Sequence, residues 1–254
     1  MRPIEAMSVL VTGGGSGLGE GIARHLCHLG ARVTISGRRA EPLHAVAESI
    51  GDAARAVVGD VTVAADRTAM VEAAVAHGGG RLDVLVNNAG NMYRGPLADL
   101  EADELHAVFD SNVIGPMLLT QAALEHLRAS RGAVIFMGSV HSQRAFPGAS
   151  PYAATKGAVE TLTGVLAAEL GPDQVRVSCV RPGGVFTEIN QRAGLFDDET
   201  ARARLESLAP AHALGRIGTV TEIAEAVEYL IRAEWTTGSI LTVDGGLGLG
   251  VTNA

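Results

Sequence analysis

Tyr152 and Lys156 stand four residues apart in Tyr-Ala-Ala-Thr-Lys. Of the chain's 20 basic residues, 19 are arginine and Lys156 is the single lysine. Tyrosine is also sparse, at three in 254 residues. On a helix, side chains at i and i+4 share a face and become neighbours. An ordinary phenol titrates near ~10 and is no base at neutral pH, but a fixed cation beside it favours the phenolate. Lowering it by about three units takes about 4 kcal/mol of differential stabilisation. An ammonium suits that task better than a guanidinium, because it is compact enough to serve a proton relay and sugar hydroxyls as well. The chemistry expected is proton transfer by Tyr152, tuned by Lys156. The same spacing also fits a solvated surface pair, so the elements around it must decide.

Those elements begin with a short apolar run, Ser8 to Thr12, that ends in Gly13-Gly-Gly-Ser16-Gly17-Leu18-Gly19 and passes into the helical spacing Ile22, Leu26, Leu29. Strand, glycine turn and helix form a setting in which backbone amides and a helix N-terminus hold a pyrophosphate. The glycines follow T-G-x-x-x-G-x-G rather than the commoner G-x-G-x-x-G. A second predicted strand, Arg32 to Ser36, runs into Gly37-Arg38-Arg39, with no carboxylate before Glu41. A site for NAD places an acid there for the ribose 2′-hydroxyl, and a site for NADP places an arginine for the 2′-phosphate. NADP(H) is therefore the expected cofactor, with Arg38 as the better phosphate ligand, Arg39 beside it and Ser36 adding a hydroxyl. NAD is the alternative.

Further along, a helix over about 41–50 leads to a third strand, 54–59, ending in Asp60-Val61, a polar tip and apolar wall suited to adenine. A helix near 63–77 precedes the strand 82–86, which runs into Asn87-Asn88-Ala89-Gly90. Small and amide residues there let the chain pass close to a flat ligand. One helix is predicted over about 101–128. Pro116 within it cannot donate to the main-chain carbonyl of Asn112, so that carbonyl should need a substitute partner such as water. The strand 133–137 ends at Gly138-Ser139, which puts Ser139 on the carboxyl edge of the sheet, where open α/β folds bind ligands. A helix over 152–170, a strand over 175–180 and Arg181-Pro182-Gly183-Gly184 follow. The stretch 184–212 is expected to act as a substrate lid. A helix over about 221–232 and the strand 240–243 close the chain.

Length fits one α/β domain spanning 1–254. A net charge of −8 without a basic tract argues against nucleic acid and against an anionic membrane surface. No apolar run reaches the roughly 18 residues of a span. Residues 1–7 lead straight into a strand, so no leader is expected, and the cytoplasm is the expected location. Cys27 and Cys179 read as packing thiols rather than a disulfide, and no Cys/His spacing suggests a metal.

Thr12-Gly13-x-x-x-Gly17-x-Gly19, Asn87-Asn88-Ala89-Gly90, Asn112, Ser139, Tyr152-x-x-x-Lys156 and Pro182-Gly183 together resemble the short-chain dehydrogenase/reductase family across essentially the whole chain. The resemblance implies a single-domain, Rossmann-like, doubly wound parallel sheet of about seven strands with helices on both faces. It implies hydride transfer between a nicotinamide and a carbinol or carbonyl carbon of a small-molecule alcohol or ketone. Tyr152 would be the general acid/base, Ser139 would hydrogen-bond the substrate oxygen, Lys156 would act on Tyr152 and hold the nicotinamide ribose, and the Asn112 carbonyl would hold a relay water. The implied cofactor residues are Gly13, Ser16, Gly17, Leu18, Gly19, Ser36, Arg38, Arg39, Asp60, Val61, Asn88, Ala89, Gly90, Tyr152, Lys156, Pro182, Gly183, Val185 and Thr187, the last near the carboxamide. A homo-oligomer, favoured as a tetramer, would be built on the helices 101–128 and 152–170 and the last strand. One departure stands out: members using NADP often carry a basic residue where this chain has Ser16.

Candidate substrate residues are Met92, Ser139, His141, Tyr152, Phe186 and Gln191. Tyr93, Val140, Phe146, Val185 and Ile189 are further walls, with Gln143 and Arg144 as polar exceptions. A mostly apolar cleft with a few anchors suits a medium-sized secondary alcohol or ketone. His141 and Gln191 occupy positions resembling the substrate-carboxylate site of 3-hydroxybutyrate dehydrogenases, but Met92 and Ala149 replace other expected anchors. An alcohol or hydroxy-acid dehydrogenase using NAD is thus the alternative, and a dinucleotide-binding regulatory protein without turnover is the alternative of another class.

Overall fold

A computed structural model describes residues 1–187 and 198–250. Seven strands form one sheet: β1 (Ser8–Thr12), β2 (Arg32–Gly37), β3 (Ala54–Val58), β4 (Val84–Asn87), β5 (Ala133–Met137), β6 (Arg176–Pro182) and β7 (Ile240–Val243). Their order is β3-β2-β1-β4-β5-β6-β7, and every pairing is parallel. Parallel neighbours require crossovers, supplied by α1 (Gly17–His28), α2 (Ala40–Ile50), α3 (Ala64–His77), α4 (Ala102–Phe109), α5 (Gly115–Ser130), α6 (Ser150–Leu170), α7 (Asp198–Glu206) and α8 (Val220–Arg232). The architecture expected from the sequence is the one observed.

Strand alternation explains the two layers of helices. Val9, Val11, Val84, Val86, Ile135, Met137 and Val180 point to one face, where Ile22 and Leu26 of α1, Leu43 and Val46 of α2, and Val227 and Leu230 of α8 cover them. Leu10, Leu85, Val134, Phe136, Val177 and Cys179 point to the other, against Met70 and Ala74 of α3, Leu119 and Leu127 of α5, and Val159 and Leu170 of α6. A strand sealed on both faces must be apolar throughout, as all five residues of β5 are. Each such buried Val, Leu or Ile contributes roughly 1.5–3 kcal/mol.

The order of strands reverses between β1 and β4. Chain crossing to opposite sides there opens a crevice at the carboxyl ends of the strands. The amino ends are closed by a charged clamp around Asp83, which is fully buried. Asp83 Oδ2 accepts from the Ser8 amide at 2.9 Å, and its Oδ1 accepts from Arg2 Nη2 at 2.9 Å and from Arg81. At the far edge, Arg176 donates to the carbonyls of Leu230 (2.6 Å) and Ile231 (2.7 Å), so a cation satisfies the open C-terminus of α8.

One expected helix is two. Between α4 and α5 the backbone widens into a π-turn over Asp110–Ile114, with the Gly115 amide donating to the Asp110 carbonyl. Pro116 is the cause: lacking an N–H, it cannot continue the α-helical ladder and instead sits in the first turn of α5. Asn112 lies inside that π-turn.

No helix among the described residues is long and apolar enough to cross a membrane. Among the described residues, no cluster of His, Cys, Asp and Glu has the makings of a metal site. Cys27 and Cys179 are free thiols.

Candidate active site

Three loops at the carboxyl edge of the sheet build the crevice. The turn after β1 meets the turn after β4 through Thr12, whose Oγ1 accepts from the amides of Asn88 (3.0 Å) and Ala89 (2.9 Å). Asn88 Nδ2 donates back to the Thr12 carbonyl at 2.8 Å. Gly17, at φ +57°, begins α1 in the left-handed region that glycine adopts without strain, and its open face looks onto Thr187. A side chain on Gly19 would sit 2.2 Å from the Gly13 carbonyl oxygen, so that glycine lets helix and strand touch.

The third loop, after β5, carries Ser139 and His141 and leads to α6, which carries the proton-transfer candidates. Tyr152 and Lys156 lie on α6 and are 7% and 6% exposed. Lys156 Nζ sits 5.3 Å from the Tyr152 ring centroid and donates to the Met137 carbonyl at 2.8 Å. Both side chains therefore face the sheet edge on the same side, rather than solvent. Ser139 Oγ lies 3.0 Å from His141 Nδ1, and the His141 amide donates to that same Oγ at 3.3 Å. The His141 ring stacks on Phe146 at 4.3 Å and meets Tyr152 edge-on at 5.1 Å. Burial, with the nearby charges of Arg94 and Lys156, pushes the His141 imidazole down to about 4, so it is neutral at neutral pH.

A cavity of about 530 Å³ runs past Ser139, His141, Tyr152 and Lys156 and along the glycine turn after β1. It is lined by Gly13, Ser16, Gly17, Leu18, Ser36, Arg38, Arg39, Asp60, Val61, Asn88, Ala89 and Gly90 along one arm. Along the other it is lined by Met92, Ser139, Val140, His141, Phe146, Tyr152, Lys156, Pro182, Gly183, Val185 and Thr187. Asn112 is buried behind it: its Oδ1 accepts from the Asn91 amide (2.7 Å), and its Nδ2 donates to the Asn91 carbonyl (2.9 Å) and Thr155 Oγ1 (3.0 Å). Its side chain thus clamps the loop after β4 to α6. Gly19, Phe186 and Tyr93 are not part of the lining. Gln143 and Arg144 also lie off it, occupied by Arg181 and by the Leu247 carbonyl. Gln191 and Ile189 lie outside the described residues.

Residues not singled out in the sequence also line the cavity, among them Gly15, Pro42, Asn91, Arg94, Leu205, Leu208 and Leu247. The leucines come from distant segments and carry no local signal. Arg94 did carry one, being the lone cation in the loop that follows β4.

The cavity wall fits a dinucleotide on its own terms. Ser36 Oγ is buried at the end of β2 and has no hydrogen-bond partner among the described residues, a state that a ligand hydroxyl or phosphate would relieve. Beside it Arg38 reaches Asn91 Oδ1 (3.2 Å) and approaches Asp60 (3.8 Å), while Arg39 donates to Ser16 Oγ (3.2 Å). The cradle beneath is glycine at 13, 15 and 17, next to the N-terminus of α1.

Comparison with known proteins agrees with this geometry. The family described as Enoyl-(Acyl carrier protein) reductase matches residues 13–248. The chain is 38% identical to an uncharacterized oxidoreductase of Methylorubrum extorquens, over 97% of this chain and 100% of that one. It is 37% identical to L-fucose dehydrogenase of Bos taurus, over 95% and 89% respectively. Among solved structures it is similar to 3-ketoacyl-(acyl-carrier-protein) reductase of Brucella melitensis complexed with NADH. Identity there is 33%, the TM-score is 0.87, and 96% of this chain and 99% of that one are covered.

Proposed function

This chain belongs to the short-chain dehydrogenase/reductase family, and we propose that it uses NADP(H) to interconvert a secondary alcohol and a ketone on a medium-sized, mostly apolar substrate. The observation that carries this reading is the single cavity shared by Ser139, Tyr152 and Lys156 at one end and by Ser36, Arg38 and Arg39 at the other. A bound nicotinamide dinucleotide supplies the hydride. Glycines 13 and 17, Leu18 and the N-terminus of α1 would hold its pyrophosphate; Asp60, Val61 and Ala89 would bracket the adenine side, and Pro182, Gly183, Val185 and Thr187 the nicotinamide side.

Tyr152 gives a proton to the carbonyl oxygen in reduction and takes it back in oxidation. Ser139 bonds that oxygen, its hydroxyl held by the main chain and ring of His141. Lys156, fixed by the Met137 carbonyl, stabilises negative charge developing on the phenol oxygen. Asn112 is a positioning residue, since its contacts are with Asn91 and Thr155. Leu205 and Leu208 support a lid role for the segment around 184–212, because both face the cavity from it. The free thiols fit a reducing cytoplasm.

Cofactor preference is tested by the fluorescence of bound NADPH and NADH. NADPH is expected to bind at least about tenfold more tightly, consistent with about 1.4 kcal/mol or more from guanidinium–phosphate contact. Arg38→Ala should narrow the gap. A second reading, NAD, is favoured by the Asp60 carboxylate near Arg38 and by the NADH-bound relative. Equal or tighter binding of NADH by the unaltered protein would establish it.

A homotetramer is part of the proposal. Ile114 at the end of the π-turn, Met117 and Leu118 at the start of α5, and Val165 on α6 are apolar and exposed. Light scattering should give four times the chain mass of 26.1 kDa; a monomer would refute it.

A further inference from the structure

The turn after β5 is gripped by α6 at both ends. Just before Ser139, the Met137 carbonyl accepts from Lys156 Nζ at 2.8 Å. Just after it, Ser142 Oγ donates at 2.6 Å to Oε1 of Glu160, which lies four residues beyond Lys156 on the same face of α6. The Glu160 carboxylate also closes on the main chain between them, where a side chain on Gly138 would stand 2.9 Å from Oε1. The Ser142 hydroxyl has one proton and a second acceptor within reach, the Ser139 carbonyl at 2.7 Å. A carboxylate is the stronger acceptor of the two, and the Ser139 carbonyl already holds the Ser142 amide at 3.0 Å.

Glu160 is itself braced. Arg181, on β6 directly before Pro182 and Gly183, donates Nε to Oε1 at 2.9 Å and Nη2 to Oε2 at 2.7 Å, a two-point contact. The two side chains are only 17% and 9% exposed. A second nitrogen of Arg181, Nη1, reaches Gln143 Oε1 at 3.2 Å and, on β7, Thr242 Oγ1 at 3.0 Å. Shielded ion pairs give little net stability, because desolvation offsets their attraction. What this pair does supply is one fixed point to which α6, β6, β7 and the turn after β5 are all tied. Ser142, Glu160 and Arg181 stand outside the cavity lining.

Resting on the hydride-transfer reading above, we propose that Glu160, braced by Arg181, is a positioning residue that sets Ser139 against Tyr152 through the Ser142 hydroxyl. It touches neither substrate nor cofactor. Ser139 and Tyr152 must meet one substrate oxygen from two different elements, and a misplacement of about 1 Å can cost about a hundredfold in rate.

The test compares the parent with Ser142→Ala, Glu160→Ala, the double variant and Glu160→Gln, all as full chains reducing 2-octanone or acetophenone with NADPH. Glu160→Ala is expected to lower kcat by about thirtyfold, with the affinity for NADPH, read from its fluorescence, within about twofold of the parent. Ser142→Ala, which leaves the ion pair in place, should lower kcat by about tenfold. The double variant should be no slower than Glu160→Ala, since both changes cut one link. Glu160→Gln, which keeps an oxygen for Ser142, should recover most of the loss. An arm independent of turnover follows hydrogen exchange at the amides of Ser142, Gln143 and Arg144, which bond the carbonyls of Ser139 and Val140. These should exchange at least about tenfold faster in Ser142→Ala and Glu160→Ala, while the amides of β5 keep the parent rate. Additive losses in the double variant, cofactor affinity falling in step with kcat, or unchanged exchange in the turn would each overturn the proposal. If Glu160→Ala does not fold, Ser142→Ala decides alone, and parental kcat and exchange in it would count against the link. Failure of the hydride-transfer reading looks different: no ketone would oxidise the cofactor even with the parent, yet the exchange difference would persist.

Discussion

Tyr152→Phe is expected to lower kcat by about a thousandfold, in the middle of the range for removal of a positioned acid/base. The substitution deletes one oxygen and keeps the ring that meets His141 edge-on and lies 5.3 Å from Lys156 Nζ. Packing is therefore preserved, and both dinucleotide affinity and thermal midpoint should stay near those of the parent. Such a result separates chemistry from binding, because a residue needed only to shape the cavity would raise KM instead. Steady-state reduction of a ketone, with cofactor affinity measured alongside, gives the answer. A variant retaining activity within about tenfold of the parent would remove Tyr152 from the proton-transfer role.

At the opposite end of the sheet, Asp83→Ala should destabilise the protein by about 3 kcal/mol while leaving KM for the cofactor unchanged. The largest share comes from the Ser8 amide, buried and left without its acceptor, at roughly 1–3 kcal/mol. The rest comes from the pairing with Arg2, which is itself largely shielded. Arg81 is more exposed and regains water when the carboxylate is removed, so it adds little. For a chain of this length the thermal midpoint should fall by roughly 6–12 °C. Urea denaturation checks the free energy, and a loss under about 1 kcal/mol would show that the clamp is dispensable. Asp83→Asn, which keeps an oxygen for the Ser8 amide, should lose less.

How much of this was legible in the sequence depends on how local each determinant is. Strands sealed on both faces announce themselves as short apolar runs, so β5 and the Val-Leu-Val cores of β1 and β4 are readable from the local pattern. Pro116 announced a break in hydrogen bonding, but not its form: a missing donor can be absorbed as a bend, a bound water or a wider turn, and packing against α6 selects among them. The carboxyl-edge position of Ser139 followed from strand length, whereas its tie to His141 depends on a side-chain rotamer. No spacing rule governs Arg94; its position follows from two long-range clamps, at Asn112 and Gly148. The leucines at 205, 208 and 247 reach the cavity from segments far apart in the chain, which periodicity cannot reveal.

His212 offers a last point. It is buried, its Nδ1 donates to the Leu208 carbonyl at 2.8 Å, and its Nε2 accepts from the Gly184 amide at 3.3 Å, so one tautomer is fixed by its two partners. The Gly218 amide in turn donates to the Gly184 carbonyl at 2.8 Å, and Val185 pairs with Gly218. The chain that leaves the sheet after β6 thus returns to its point of departure before entering α8, like a purse drawn shut by a single knot. The entropy of closing that loop is already spent in the folded chain, independently of what lies in the crevice. Insertions or deletions inside it can therefore change what the mouth admits without loosening the strands that carry the reacting groups.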